Sequence, residues 1–101
     1  MSMTLPNGYE MTTTFMMDFS IADKFGIAAI KDTYKRAFEE WKDSYVYLTE
    51  LVIVLNLKIW EWYEKNEDVA KVYNSLWEEA DAYACENLKD DELSFFYRIT
   101  D

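Results

Sequence analysis

The chain has 101 residues, of which 50% are hydrophobic and 18% aromatic, and its formal net charge is −10. This length fits one domain, and acidic chains that stay disordered are poor in aromatic residues, so the chain is expected to fold. It contains no histidine, one cysteine and two glycines. The sequence therefore excludes histidine-based catalysis, imidazole-dependent zinc sites, thiolate clusters and glycine-rich phosphate loops.

The N-terminal part is predicted to contain a tail and one strand. Residues 1–10 are expected to be the tail, with a turn signal at Pro6-Asn7-Gly8, and residues 11–101 a single globular domain. Apolar side chains then occupy every second position, which predicts a strand over 12–19 with one buried face.

A short helical turn is predicted next, over 20–25. Ser20 and Asp23 have the spacing of a capping box, in which Ser20 is the N-cap and the Asp23 carboxylate reaches back to it. Gly26 is suited to the residue that follows a helix.

Apolar residues at spacings of three and four predict three long helices, over 27–43, 45–65 and 67–88. The second is apolar on most faces, which is typical of a helix at the centre of a fold or at an interface. A buried strand at 52–54 is the alternative there. Asn66 is expected to be the N-cap of the third helix.

The chain end is predicted to be a solvated turn at 90–92 followed by a strand over 93–100, because its composition is rich in aromatic and β-branched residues. A lone strand leaves its backbone groups unpaired, so this strand is expected to pair, antiparallel, with 12–19. The predicted fold class is mainly α: a three-helix bundle with an N-terminal helical turn and a two-stranded ribbon formed by the chain ends.

Most of the negative charge lies in residues 61–92, which carry eleven acidic side chains and three lysines. This segment predicts a candidate interaction surface, formed by Glu64, Asp68, Glu78, Glu79, Asp81 and Glu86. The simplest interpretation is a solubilising outer face. A second interpretation, mimicry of a nucleic acid, requires these acids to form one continuous face.

Three further side chains have more than one interpretation each. Asn56 interrupts an apolar helix and is expected to be a buried, hydrogen-bonded structural amide or a ligand contact. Arg98 is expected to pair with Asp18 or to stack on an aromatic ring, with an anion contact as the alternative. Cys85 is expected to be a small hydrophobe rather than a reactive thiol, because acids surround it.

Five stretches of the chain, which together fall within residues 15–101, carry a resemblance to a known family. They are Ser20-Ile-Ala-Asp-Lys-Phe-Gly26, Ile30-Lys-Asp-Thr-Tyr-Lys-Arg-Ala-Phe-Glu-Glu-Trp41, Leu48-Thr-Glu-Leu-Val52, Val54-Leu-Asn-Leu-Lys-Ile-Trp60 and Phe96-Tyr-Arg-Ile-Thr-Asp101. The chain resembles a family of small uncharacterised proteins of gut Firmicutes and their phages or integrated elements. The resemblance implies a mobile-element context and no assigned activity, so it implies no catalytic residue.

These observations predict a non-enzymatic interaction or accessory protein, cytoplasmic, without a cofactor, that binds an unknown protein partner. Direct nucleic-acid binding is disfavoured because phosphate contacts need a basic patch, and no apolar run is long enough to span a bilayer. Two alternatives remain open: the acidic nucleic-acid mimic, which would inhibit a host defence or DNA-processing protein, and a carboxylate-based binder of divalent metals, which would use pairs such as Glu61 and Glu64. Homodimerisation is compatible with all three.

Overall fold

The computed structural model describes residues 3–100 and is mainly helical, as the sequence predicts. Its five helices and two short strands are β1 (Met3–Thr4), β2 (Glu10–Met11), α1 (Phe15–Asp23), α2 (Ile27–Trp41), α3 (Tyr45–Trp62), α4 (Glu67–Asn87) and α5 (Asp91–Thr100). The three predicted long helices are α2, α3 and α4, and every end lies within three residues of its predicted position. The helical bundle is therefore confirmed.

The central element is α3, which packs against each of the other four helices and most extensively against α4. Every residue from Leu48 to Leu55 is buried, which explains why this part of the sequence is apolar in nearly all directions. The alternative of a strand at 52–54 is excluded, because these residues lie in the middle of α3.

Side-chain caps begin two of the long helices. Ser44 accepts a hydrogen bond from the Tyr47 amide at the start of α3. The Asn66 side chain accepts from the amides of Asp68 and Val69 at the start of α4, as predicted from the sequence. Such caps satisfy amide groups that have no partner within the helix.

The predicted strand over 12–19 is wrong, because Phe15–Asp23 is a helix. Phe15, Phe19 and Ala22 are buried at helical spacing, whereas the Met17 side chain is 59% exposed. The alternation of apolar residues suggested a strand because α1 is apolar on its outer side as well as on its inner side. Of the helical turn predicted for 20–25, residues 20–23 are the last four residues of this longer helix, and residues 24–25 form the turn that follows it.

The predicted strand over 93–100 is also wrong, since Asp91–Thr100 forms α5. Phe96 is buried while its neighbour Tyr97 is exposed, and Leu93 and Ile99 are partly buried three residues to either side. Acidic residues in the first turn suit the positive end of a helix. The chain ends therefore do not pair as a ribbon, and packing against α3 overrides the β-rich composition.

The ribbon of this fold lies within the predicted tail. β1 and β2 pair antiparallel, with Met3 opposite Met11, and the predicted turn at Pro6-Asn7-Gly8 forms the tip. The Gly8 amide donates to the Leu5 carbonyl at 2.9 Å. Leu5 and Met11 join the hydrophobic core, so residues 3–11 are an integral hairpin rather than a tail.

The link between α1 and α2 depends on Gly26, whose φ of 103° is rarely adopted by side-chain-bearing residues. The predicted capping box at Ser20 and Asp23 is wrong, because both residues lie inside α1. Their side chains instead contact Lys58 of α3.

Candidate functional site

The predicted acidic surface does not form one continuous row. At about 100° of rotation per residue, Asp68, Glu79 and Glu86 of α4 fall within about 20° of one line. With the same rotation per residue, Glu78 lies about 80° and Asp81 about 140° from that line. Glu79 contacts a groove next to α2, whereas Asp81 lines a separate cleft next to α3 and α5.

The spacing along α4 is equally unlike that of a nucleic acid. With a rise of about 1.5 Å per residue, Asp68 and Glu79 lie about 16 Å apart along the axis and Glu79 and Glu86 about 10 Å. Phosphates of one DNA strand follow at about 3.4 Å along the duplex axis. Glu64 lies before α4 begins and does not extend the row.

Asn56 is not a buried structural amide, because it is exposed on α3. Its position on the outer side of the helix places it in the cleft that Asp81 also lines. Asn56 therefore lies beside a cavity, which its interpretation as a ligand contact requires. Arg98 is exposed and its guanidinium carbon lies 5.6 Å from the centre of the Phe95 ring, which is the predicted ring stacking.

The buried polar residues of α3 are Thr49, Glu50 and Lys58. The Lys58 side chain is 1% exposed, and its Nζ donates to Ser20 Oγ at 3.0 Å, Asp23 Oδ2 at 2.7 Å and Glu61 Oε2 at 2.9 Å. All three ammonium protons therefore have acceptors. Such pairing is what allows a charged group to remain in a protein interior.

Asp23 extends this cluster to α4. Its carboxylate accepts from Lys58, from Trp62 Nε1 at 3.1 Å and from the Tyr73 hydroxyl. Burial, followed by the hydrogen bond to Asp23, raises the pKa of Tyr73 above its ordinary value. The Lys58 cluster, formed by Ser20, Asp23, Lys58, Glu61, Trp62 and Tyr73, thereby joins α1, α3 and α4.

Glu50 is a second buried charge on α3, and it binds the segment that enters α1. Its carboxylate accepts from the Tyr9 hydroxyl at 2.7 Å, from the amides of Thr12 and Thr13 at 2.8 and 3.1 Å, and from both threonine hydroxyls. Burial, together with the hydrogen bond to Glu50, raises the pKa of Tyr9. The Glu50 cluster, formed by Tyr9, Thr12, Thr13 and Glu50, fixes the hairpin to the core.

These clusters were not predicted, although the sequence holds a signal for them. Glu50 and Lys58 are the charged residues that enclose the segment from Leu51 to Leu57, which is apolar except for Asn56, in a helix buried on most faces. A charge in such a position requires buried partners. Apart from Glu61, one turn from Lys58, the direct partners come from residues 9–23, and no local pattern in the sequence connects these residues with α3.

An apolar ridge lies on the outer side of α1 and of the turn that follows it. The side chains of Met17, Ile21 and Phe25 follow at intervals of four residues and are 59%, 51% and 77% exposed. The inner side of the same helix supplies Phe15, Phe19 and Ala22 to the core. The fold therefore does not use the outer ridge.

The ridge borders a groove of about 450 Å³ between α1 and α2. Apolar lining comes from Ile21, Phe25, Ala29, Ala37 and Trp41, and acidic lining from Asp18, Asp32 and Glu40. Arg36 also lines the groove, and its Nε lies 3.2 Å from Asp32 Oδ2. The ridge and the groove together form the α1–α2 face.

A separate cleft of about 580 Å³ lies between the hairpin tip, α3, α4 and α5. It shares no lining residue with the groove of the α1–α2 face. Asp81, Asn56 and Cys85 line it together with apolar side chains. Burial raises the pKa of the Asp81 carboxyl above its ordinary value. Cys85 is exposed, whereas the sequence predicts a small hydrophobe that is buried or half-buried.

Residues 3–100 contain no group of three or more acidic, histidine or cysteine side chains arranged to hold a metal ion. In the same range no helix combines the length and the apolar character needed to cross a bilayer. Comparison with protein-family profiles, curated sequences and solved structures finds no significant match to this chain.

Proposed function

We propose that this protein is a non-enzymatic interaction module that binds a helical segment of a partner protein on the α1–α2 face. The observation that carries the proposal is the exposure of Phe25, 77%, at the end of a ridge that continues through Ile21 and Met17. Contiguous apolar side chains on the surface of a soluble chain are typical of a site for another protein.

The partner segment is expected to be amphipathic and basic. Apolar side chains of the partner would fill the groove beside Phe25, Ala29 and Trp41, and lysine or arginine side chains would meet the carboxylates of Asp18 and Glu40 on its sides. Recognition of an amphipathic helix in an apolar groove is a recurring mode of binding. The 15 residues of α2 extend over about 22 Å, which matches a partner helix of about four turns.

A second copy of this chain is a poorer occupant. Each copy carries a net charge of −10, and the acidic sides of the groove would repel it. The mimic alternative has less support from geometry, because the acids of α4 are split between two grooves and widely spaced. The phage or mobile-element context that the resemblance implies remains a prediction.

The test is a titration of the isotopically labelled protein, followed by amide chemical shifts, with three synthetic peptides of 14 residues. One is an amphipathic helix of leucine and lysine, one is a scrambled sequence of the same composition, and one carries glutamate in place of lysine. We expect saturable shifts at Ile21, Phe25 and Ala37 with the first peptide only. Equal binding of the scrambled peptide would show that charge attraction alone accounts for the binding, and this result would overturn the proposal.

Paired variants locate the site. Because Ile21 and Phe25 are exposed, I21S/F25S is expected to fold normally and to bind the amphipathic peptide at least tenfold more weakly. The matched control is W60S/Y63S, since Trp60 and Tyr63 are also exposed, at 69% and 65%, but do not line the groove of the α1–α2 face. If both double variants weaken binding equally, the peptide binds exposed apolar residues in general and not the α1–α2 face.

A further inference from the structure

The cleft between the hairpin tip, α3, α4 and α5 has the size and lining of a site for a small molecule. Its volume of about 580 Å³ lies within the range of about 300–1,000 Å³ that is usual for ligand pockets. Leu5, Ile53, Leu57 and Ile99 provide apolar walls, and Trp77 provides an aromatic surface. Polar side chains of Asn7, Asn56, Asp81, Cys85, Tyr97 and Thr100 lie among these walls, and polar groups among apolar walls are what orient a ligand in such a site.

Two polar groups of the cleft, those of Asp81 and Asn56, differ from Asn7, Cys85 and Thr100, which have hydrogen-bond partners within the protein. Within residues 3–100, Asp81 makes no hydrogen bond or ion pair, and the Asn56 amide likewise has no hydrogen-bond partner. The pKa of the Asp81 carboxyl is raised by burial, with no neighbouring charge or hydrogen bond contributing. A partly desolvated carboxylate without a partner costs stability in the free protein, and such a cost is common where a group awaits a ligand.

The charge of the cleft selects the class of ligand. Among the lining residues that the structure describes, Asp81 is the one charged side chain, and the chain as a whole is strongly acidic. A cation would give the Asp81 carboxylate the partner that it lacks, whereas an anion would be repelled. A neutral ligand would displace water from the Asp81 carboxylate without giving that carboxylate a positive charge as a partner.

We propose that this cleft binds a small amphipathic organic cation of the aryl- or alkylamine class, with its ammonium group at Asp81 and its apolar body against Trp77 and Ile53. The Asn56 amide oxygen offers a second acceptor for the ammonium protons. An aromatic surface beside a carboxylate is also a favourable setting for a cation, because the face of the indole ring attracts positive charge. This site is independent of the α1–α2 face.

The probes are three indoles that differ in charge: tryptamine, which is cationic, tryptophol, which is neutral, and indole-3-acetate, which is anionic. The readout is the indole N–H resonance of Trp77 in the labelled full-length protein, assigned with a W77F variant. We expect saturable binding of tryptamine and at least tenfold weaker binding of the other two. No saturable shift with tryptamine, or equal binding of tryptophol, would overturn the proposal.

A matched pair of variants tests the role of Asp81. The isosteric D81N should fold, because it removes an unpaired carboxylate, and it should weaken tryptamine binding at least tenfold. The control is E78Q, which removes one negative charge a single turn away on an exposed part of α4 that does not line the cleft. We expect less than a twofold change there, and equal effects of the two variants would show that only the overall field attracts the amine.

Cys85 provides a second readout, because it lines the cleft and is the one cysteine of the chain. Iodoacetamide should alkylate its exposed thiol, and saturating tryptamine should slow this reaction at least fivefold in the wild-type protein. Tryptophol at the same concentration should leave the rate unchanged. An alkylation rate that tryptamine does not alter would place any bound amine outside the cleft and refute the assignment.

Discussion

The Glu50 cluster and the Lys58 cluster stabilise buried charges of opposite sign, and they do so with different kinds of partner. Both charges lie on α3, eight residues apart, which is about 12 Å along the helix. Glu50 accepts hydrogen bonds from neutral groups of residues 9–13, whereas Lys58 has two carboxylates as partners. The first cluster fixes one segment to the core, and the second joins three helices. Loss of the two charges should therefore have different structural consequences.

The largest effect is expected from Lys58→Met. The substitution leaves the Asp23 carboxylate, which is 10% exposed, without its cation, and breaking a buried ion pair in this way costs about 3–5 kcal/mol. Urea denaturation should show this loss of unfolding free energy in a single cooperative transition. The control is Lys71→Met, which removes an exposed pair with Glu67 and should cost less than about 1 kcal/mol.

A smaller and more local effect is expected from Glu50→Gln. The glutamine side chain has one acceptor oxygen and directs its amide protons toward groups that are themselves donors. Hydrogen bonds to a charged group contribute about 1.5–3 kcal/mol each, and relaxation of residues 3–14 should limit the total to about 2–3 kcal/mol. Hydrogen exchange should show lost protection in residues 3–14 with α2, α3 and α4 unchanged. Uniform loss of protection would contradict the contrast between the two clusters.

Removal of one hydroxyl from each cluster sharpens the comparison. Tyr73 is fully buried and donates to Asp23, while Tyr9 is partly buried and donates to Glu50, which keeps four other donors. We expect Tyr73→Phe to cost about 2 kcal/mol and Tyr9→Phe about 1 kcal/mol. Thermal denaturation of both variants checks the order, and a larger loss in Tyr9→Phe would reverse the ranking of the clusters.

The same two tyrosines should make the fold sensitive to alkali. Their pKa values are raised in the folded protein, so the unfolded chain releases these protons first, near pH 10. Stability is thus fully present below about pH 10 and falls as the pH rises above it. Tyr73→Phe should flatten this decline in denaturation curves between pH 9 and pH 11. An unchanged slope would show that Tyr73 does not contribute.

The smallest effect is expected from Tyr34→Phe, outside both clusters. The Tyr34 hydroxyl is buried, and no hydrogen-bond partner lies near it within residues 3–100. Burial, with a smaller contribution from the Glu79 charge, raises its pKa. Removal of an unsatisfied hydroxyl should leave the unfolding free energy unchanged or increase it by less than about 1 kcal/mol. A loss similar to that of Tyr73→Phe would require a partner for the Tyr34 hydroxyl.

Part of the site follows from the sequence. The sequence singles out both Asn56 and Asp81, and both line the cleft between the hairpin tip, α3, α4 and α5, but their proximity depends on the packing of α3 against α4 and α5. The α1–α2 face was not predicted, because alternation in residues 15–19 suggested a strand. Apolar residues on both sides of a helix give the same alternating pattern as a strand with one buried face, so only packing distinguishes the two.

The sequence by itself determined the long helices and the start of α4, because apolar spacing and the Asn66 cap are local signals. It also determined which classical chemistries are absent, since these require residue types that the chain lacks. The tertiary structure decided that residues 15–23 and 91–100 are helical and that Glu50 and Lys58 are buried with partners. These outcomes depend on contacts between residues far apart in the sequence, such as Tyr73 with Asp23, 50 positions apart, and Asn7 with Ile99, 92 positions apart, whose energies outweigh local propensity.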